Sequence, residues 1–364
     1  MVEIAEMFRL HGPAYRAKFG DRMRPSPRRA MQDIEQCRTE TLGGQVYHGE
    51  TCQAYHDSYH SCKNRHGPTC QQDQAEQWLD DQKRLRLPVP HFLVTFTLPM
   101  ELRALARCHQ NTLDHILLRS SSEALQPLAL APRFIGGRIG MVGVRHTWTR
   151  DRRSHPHVHD SVAGGGLSAE GTWLASRHDF LVHVKPLAVI FRAKFRAQLH
   201  KTDRFPRVDE SVWHKEWVVH CEAVGTGTEA FTYLAPDIFR VAISHHRILT
   251  LADDQGTFQD KESATDQVRI WTVTAEEFLR RFLQHVLPDR CINVRYYGFL
   301  SPGNRHVLTR IHEILGASTV ATHTTGKPHE VNDPTNTREA RRCPTCGSLL
   351  ILVETLSPKS RWPP

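Results

Sequence analysis

Residues 154–167 read SHPHVHDSVAGGGL, with histidines at 155, 157 and 159 and glycines at 164, 165 and 166. Residues two apart on a strand share a face, so His155, His157 and His159 project together while Val158 points to the other side. Neighbouring imidazoles on that face stand about 7 Å apart at Cα, close enough to converge on one cation. A cation held by only two or three histidines keeps open coordination positions, as catalysis requires and structural sites avoid. Such an ion polarises a phosphodiester and offsets charge on its non-bridging oxygens. Gly164, Gly165 and Gly166 carry no Cβ and would let a substrate backbone come close. Asp160 falls on the opposite face and reads as a cap or a local partner. The other reading of the strand is a histidine-rich exposed face that holds no metal.

Phosphodiester chemistry also needs a nucleophile. Of the seven tyrosines only Tyr233, Tyr296 and Tyr297 follow the histidines. A phenol with a pKa of about 10 is a poor nucleophile when free, but a polarised phosphate is a better electrophile. Attack by Tyr233 would leave the phosphate on the tyrosine. A tyrosine in an amphipathic stretch such as EAFTYLAPDIF can equally be a packing residue, and Tyr296 and Tyr297 read as packing or DNA-contact residues.

A second chemistry lies upstream. Cys37, Cys52, Cys62 and Cys70 crowd among His48, His56, His60 and His66 in a stretch too poor in aliphatic residues to build its own core. The nine cysteines are an odd number and the first 20 residues lack the apolar region of a secretory signal, so metal binding fits better than a disulfide framework. Cys37, Cys52, Cys62, His66 and Cys70 suffice for one tetrahedral zinc site, with His48, His56 or His60 as substitutes. The alternative is a loop without metal. Cys343 and Cys346, in CPTCG, make half a zinc knuckle with no second CxxC motif; His306 or His329 would complete it only by folding back.

The elements that must position these residues follow from periodicity. HFLVTFTL, residues 91–98, is a β-branched and aromatic run between prolines and predicts a buried strand. Residues 101–125 carry leucines and isoleucine at helical spacing. RIGMVGVRHTWTR and HPHVHDSVAGGG predict two more strands, consecutive or paired through RDRRS. Residues 176–201 predict a short strand and a basic amphipathic helix, residues 212–224 a strand, FTYLAPDIF a short helix, and residues 268–287 a strand leading into a helix. The irregular alternation predicts an α+β fold, a sheet with helices packed on it. Three regions are expected: a helix and zinc-binding module over 1–88, a central domain over 89–317 that holds the histidine strand and Tyr233, and a polar linker with a C-terminal CxxC appendage over 318–364.

Bulk composition narrows the partner. Lys and Arg number 47 against 39 acidic residues, a formal charge of +8 with 24 histidines in addition, which favours a polyanion. Lys63 and Arg65, held by a metal loop, would meet phosphates. Arg192, Lys194 and Arg196, with Phe191 and Phe195 between them, read either as a channel that stacks bases or as a helix whose phenylalanines face a core. No apolar run approaches the roughly 20 residues a membrane helix needs. A protein that stays where it is made, in the cytoplasm and on the nucleoid when bound to DNA, is the expectation.

Taken in order, HTWTRDRRSHPHVHDSVAGGGLS, EAFTYLAPDIFRVAISHHRI and TAEEFLRRFLQHVLPDRCINVRYYGFLS resemble the rolling-circle insertion-sequence transposases of the HUH endonuclease superfamily. The resemblance extends from Cys37 to the CPTCG segment. It implies that residues 89–317 form a nuclease domain with an antiparallel central sheet, that His157 and His159 bind Mg²⁺ or Mn²⁺, and that Tyr233 attacks single-stranded DNA at element ends. For the third ligand His155 is the nearest residue on the strand face, with a carboxylate or Gln brought in by the fold equally open. A 5′-phosphotyrosine and a free 3′-OH would result, followed by strand transfer to target DNA. It also implies a structural Zn²⁺ in the N-terminal module. The sequence departs from the family at three places: Asp237 stands where many members have a second tyrosine, and Gly49 and Gly67 where they usually have cysteine. The first departure points either to a single-tyrosine branch or to a loss of part of the strand-exchange capacity. Two other readings stay open, a catalytically impaired zinc-dependent DNA-binding protein left by a decayed element, and a replication initiator or relaxase with the same chemistry.

Overall fold

Two helices open the chain, α1 (Ile4–Phe19) and α2 (Pro25–Gln36), the latter starting on a proline whose missing N–H costs a helix N-terminus nothing. A hairpin of β1 (Gly44–Gly49) and β2 (Ala54–Tyr59) follows, then α3 (Gln72–Leu85). β3 (His91–Thr97) is the proline-bounded run, succeeded by α4 (Arg103–Cys108) and α5 (Gln110–Leu130). β4 (Gly140–Trp148) and β5 (Ser154–Ala163) come next, then the small hairpin β6 (Gly165–Leu167) and β7 (Trp173–Ala175), and α6 (Val184–His200). The remaining elements are β8 (Val219–Ala223), α7 (Thr228–Phe239), β9 (Ile248–Ala252), β10 (Gln255–Lys261), β11 (Val268–Thr274), α8 (Ala275–Leu283), β12 (Val294–Gly298), α9 (Arg305–Ile314) and β13 (Leu350–Leu356). This computed structural model describes residues 4–67, 70, 72–148, 154–239, 247–252, 254–261, 267–288, 291–316 and 341–359, without the side chains at 72, 73, 148, 154, 233, 236, 237, 239, 260 and 261.

The fold is α+β. Its centre is a five-stranded antiparallel sheet in the order β12-β4-β5-β3-β8, and strand periodicity sorts its side chains between two covers. Phe92, Val94, Phe96, Met141, Val158 and Val162 face α4, α5 and α6, where Leu113, Leu117, Leu125, Leu187, Phe191 and Phe195 complete a core. Leu93, Val142, Val144 and Ala163 face the other way, against Phe231 and Leu234 of α7, Trp78 and Leu79 of α3, and Leu308 and Ile311 of α9. The odd-numbered histidines of β5 belong to this second face.

Two smaller sheets depart from the expected division of the chain. α1 and α2 share a core with Ile248, Phe258, Phe278, Leu279 and Phe282, so the first helices are packed on β9–β11 and α8. β13 pairs antiparallel with β1, Gly49 opposite Leu350 and Gly44 opposite Leu356, which makes the region after 318 part of the N-terminal module. The boundaries expected at 88 and 317 therefore cut through packed units, because β pairing and apolar burial join segments far apart in sequence; residues 317–340 lie outside the described residues.

Two local expectations are corrected. Residues 176–183 form no named strand: Leu181 and Val182 are buried in an irregular connection held by a single bridge between Arg177 and Phe180. The strand expected over 212–224 is confined to 219–223. Trp213 and Trp217 instead stack 5.9 Å apart and join Phe191, a contact that an extended strand, holding residues four apart at about 13 Å, would not allow. Among the described residues, no helix is long and apolar enough to cross a membrane.

Candidate active site and metal centres

The hairpin of β4 and β5 places His146 directly opposite His157, and Val144 opposite His159. On its other edge β5 meets β3, with Thr97 opposite His157 and Thr95 opposite His159. Partners directly opposite share a face, so His146, His157 and His159 form a triangle on the α7 side. Their ring centroids lie 5.0, 4.5 and 4.8 Å apart, and one ligand nitrogen from each lies within 4.8 Å of the others.

Hydrogen bonds orient two of the three rings. His157 Nδ1 donates to the His155 carbonyl at 2.6 Å, which makes Nε2 its ligand atom. Thr95 Oγ1 stands 2.9 Å from His159 Nδ1 and plays the same part there. Burial pushes the His157 pKa down to about 4 and that of His159 to about 3, with each further lowered by its histidine neighbour. Both are neutral imidazoles at physiological pH, the form that ligates a cation. Three convergent imidazoles, two of them with oriented rings, fit a catalytic divalent ion with open positions. His155 shares the strand face but its ring, 5.1 Å from that of His157, is not in the triad; it contributes its carbonyl, and the third nitrogen is that of His146.

On the reverse of β4, Arg145 is fixed by a buried ion pair. Its Nη1 donates to Asp114 Oδ2 at 2.6 Å, and its Nη2 to Asn293 Oδ1 at 2.8 Å. Asn293 Nδ2 in turn donates to the Ile238 carbonyl near the end of α7 at 3.4 Å. The start of α7 is seated as firmly: a Cβ on Gly227, which has φ +82°, would stand 2.6 Å from the His91 ring, so only glycine admits this approach. Arg86 donates to Thr228 Oγ1 at 3.0 Å, and the Trp78 and Phe231 rings meet edge to face. Tyr233 lies in this helix, and its side chain and that of Asp237 are outside the described residues. Tyr296 accepts a hydrogen bond from Gln82 at 2.8 Å and Tyr297 donates to the Leu118 carbonyl at 2.8 Å; both are packing residues. Asp160 is fully buried on the opposite face, and burial pushes its carboxyl up to about 7.

The cysteines divide into two groups. Cys37, Cys62 and Cys70 come together, with Sγ atoms 3.2 and 3.6 Å apart for the Cys37–Cys70 and Cys62–Cys70 pairs. Tetrahedral zinc with Zn–S near 2.3 Å sets sulfurs about 3.8 Å apart, so this group fits zinc. Cys52 is not with them, correcting the single set expected; it lies beside Cys343 and Cys346. His66 is not a member of either group. Its Nε2 accepts a hydrogen bond from the Leu287 N–H at 3.3 Å, and burial pushes its pKa down to about 3. The two glycines flag the two groups: a Cβ at Gly67 would lie 3.2 Å from Cys62 Sγ and Cys70 Sγ, and one at Gly49 2.8 Å from Cys52 Sγ.

The expected DNA contacts fare differently. Lys63 is exposed on the cysteine loop, whereas Arg65 donates to the Cys291 carbonyl at 2.9 Å. The glycine run is buried: Gly164 faces the Pro90 carbonyl, Gly165 the Trp173 ring and Gly166 the backbone of Gly137. The close backbone approach they permit is by the protein itself, which corrects their assignment to DNA. On α6 the core reading prevails, because Phe191 and Phe195 are fully buried on the sheet face away from the histidines. Arg192 donates to the Lys215 carbonyl and Arg196 pairs with Glu210, whereas Lys194 lies on the other flank of the helix, its charge near Glu123 of α5.

Sequence missed His146 and Thr95. A hairpin turn centred near residue 151 would have placed His146 against His157, but only had the pairing been fixed beforehand.

Residues 7–98 match the family described as "Transposase zinc-binding domain", and residues 140–307 the family described as "Putative transposase". "Putative transposase y4qJ" of Sinorhizobium fredii (strain NBRC 101917 / NGR234) is 35% identical over 371 residues, covering 94% of this chain and 92% of its own length. The transposase for insertion sequence element IS801 of Pseudomonas savastanoi pv. phaseolicola is 27% identical over 306 residues, 78% of this chain and 72% of that one. Among solved structures, the metal-bound conjugative relaxase TrwC in complex with oriT DNA aligns with a TM-score of 0.26 and 19% identity, over 31% of this chain and 43% of that chain. With its paired-histidine strand, α+β fold and cysteine module, the chain belongs to the rolling-circle transposases of the HUH endonuclease superfamily that carry an N-terminal zinc-binding domain.

Proposed function

We propose that this transposase cleaves and rejoins single-stranded DNA at element ends through a covalent bond to Tyr233. The observation that supports it is the triangle of His146, His157 and His159 on the sheet face covered by α7, the helix that contains Tyr233. Mg²⁺ or Mn²⁺ bound there supplies Lewis-acid polarisation of the scissile phosphate. Imidazole donors suit Mn²⁺ better than Mg²⁺, which prefers oxygen and dehydrates reluctantly. The three histidines would hold the ion through their ring nitrogens and leave its remaining positions to the phosphate and water. Tyr233 Oη loses its proton to water and forms the new P–O bond; the P–O3′ bond breaks and the 3′ oxygen takes a proton. The 5′-phosphotyrosine keeps the energy of the broken bond, so attack by a 3′-OH on it joins strands without an external energy source. Asp237 in place of a second tyrosine makes each active site competent for one covalent strand at a time.

The test incubates labelled single-stranded DNA from element ends with the protein and Mn²⁺, Mg²⁺ or chelator, and resolves covalent products on a denaturing gel. A metal-dependent adduct mapping to Tyr233, and absent from Tyr233→Phe, is expected. An adduct that persists in Tyr233→Phe overturns the nucleophile assignment, and failure to form one with any end favours the impaired DNA-binding reading.

A further inference from the structure

We infer that Cys52, His56, Cys343 and Cys346 form a second zinc site, distinct from that of Cys37, Cys62 and Cys70, that ties the C-terminal strand to the N-terminal module. The matched zinc-binding family ends at residue 98, so two of these four ligands come from outside it. Cys52, Cys343 and Cys346 bring their sulfurs within 4.8 Å of one another, with Cys52 and Cys343 3.5 Å apart. His56 Nε2 lies 3.2 Å from Cys343 Sγ. A tetrahedral zinc ion with Zn–S near 2.3 Å and Zn–N near 2.05 Å sets these edges at about 3.8 and 3.6 Å, so small movements close the shell. A sulfur separation of 3.5 Å is far beyond a disulfide bond of about 2.05 Å.

Proximity is not the only support. Each of the three sulfurs faces the backbone N–H two residues on: Ala54 to Cys52, Thr345 to Cys343 at 3.4 Å, and Ser348 to Cys346. These N–H groups supply outer contacts of the kind that fix the ligands of a metal. The loop of Cys343 to Gly347 is closed by the Gly347 N–H to the Cys343 carbonyl at 2.8 Å, with Gly347 at φ +74°. Gly49 offers no side chain, and His56, on the neighbouring strand β2, reaches the group through its contact with Cys343. The ligands come from β2, from the turn before it and from the loop before β13, so the ion sits at one end of the three-stranded sheet β13-β1-β2. Three thiolates and an imidazole select zinc over Mg²⁺ or Mn²⁺.

The experiment measures zinc per chain in the full-length protein by mass spectrometry of the metal, after dialysis against excess Mg²⁺. Two zinc ions are expected in the unaltered chain, one in Cys343→Ser with Cys346→Ser, and one in Cys62→Ser with Cys70→Ser. Loss of a single ion in each pair of substitutions establishes two independent sites. Two ions retained after Cys343 and Cys346 are replaced would overturn the inference, as would an unaltered chain whose one ion is unaffected by that change. As a check on folding and on the histidine, His56→Cys is expected to keep both ions and, with Co²⁺ in place of zinc, to gain thiolate-to-cobalt absorption. An unchanged cobalt spectrum in His56→Cys excludes residue 56 from the shell and overturns the four-ligand assignment.

Discussion

Thr95 and the His155 carbonyl set the rotation of two imidazoles, and the precision of a metal centre rests on such outer contacts. Thr95→Val keeps the shape of the threonine and removes the oxygen that faces His159 Nδ1. It is expected to weaken Mn²⁺ binding by about 10- to 100-fold, measured by calorimetry, with little change in melting temperature. A larger contrast separates two histidines of similar appearance. His146→Ala should abolish measurable Mn²⁺ binding and adduct formation, whereas His155→Ala should retain both, because its contribution is a backbone carbonyl. Equal effects of the two would return His155 to the ligand set. At this scale the sequence was legible where chemistry is local: alternation alone put His157 and His159 on one face. His146 was not, since nothing in HTWTR distinguishes a ligand from a surface histidine until the register pairs it with His157.

Strand β4 is pinned from behind by the ion pair of Arg145 and Asp114, whose side chains are 2% and 4% exposed. Burial pushes the Asp114 carboxyl up, and the Arg145 charge opposes that shift. Removing one partner leaves the other charge buried and uncompensated, a loss of about 3–5 kcal/mol. Asp114→Ala is therefore expected to lower unfolding free energy by that amount in urea titrations; a loss below about 1 kcal/mol would show that water reaches the arginine. Because Arg145 also holds Asn293, which reaches α7, Asn293→Ala should reduce covalent adduct formation more than it reduces stability. Elements were legible from periodicity where burial is one-sided, as in α5 and β3. They failed at residues 212–218, where aromatic stacking of Trp213 and Trp217 overrides the strand pattern, and α6 left two readings open because a basic helix over a core and a basic channel share one pattern.

Across the molecule, buried neutral histidines make stability depend on acid. Burial pushes His66 down to about 3 and holds His91 below the usual imidazole value. Above the unfolded value of about 6.5 both states are neutral and the full contribution is present. As pH falls through that value the unfolded chain takes up protons that the native chain refuses, so stability drops by about 1.4 kcal/mol per pH unit for each group until its native pKa is reached. Urea titrations at pH 7.5 and 5.5 should show this fall, and His66→Gln should make it shallower; an equal slope in the variant would mean that His66 is accessible to protons when folded. The least legible feature at this scale was the C-terminal region. Its CxxC motif was evident, but its partners lie 291 residues away at Cys52 and 287 away at His56, joined by strand pairing that no local pattern encodes.

That pairing has a consequence for synthesis. A ribosome delivers β1 and β2 early, yet the strand that flanks β1 on its open side is residues 350–356, and the apolar faces of α1 and α2 wait for residues 248–286. The first segments made are thus the last to be completed, and for most of translation they present an unpaired strand edge and uncovered apolar surface. A ribosome that stops between Tyr233 and Leu350 releases a chain with the histidine triad and Tyr233 but with an unfinished front end. Such fragments are expected to be cleared by proteases or to aggregate, so the arrangement makes intact translation a condition for an enzyme that cuts DNA.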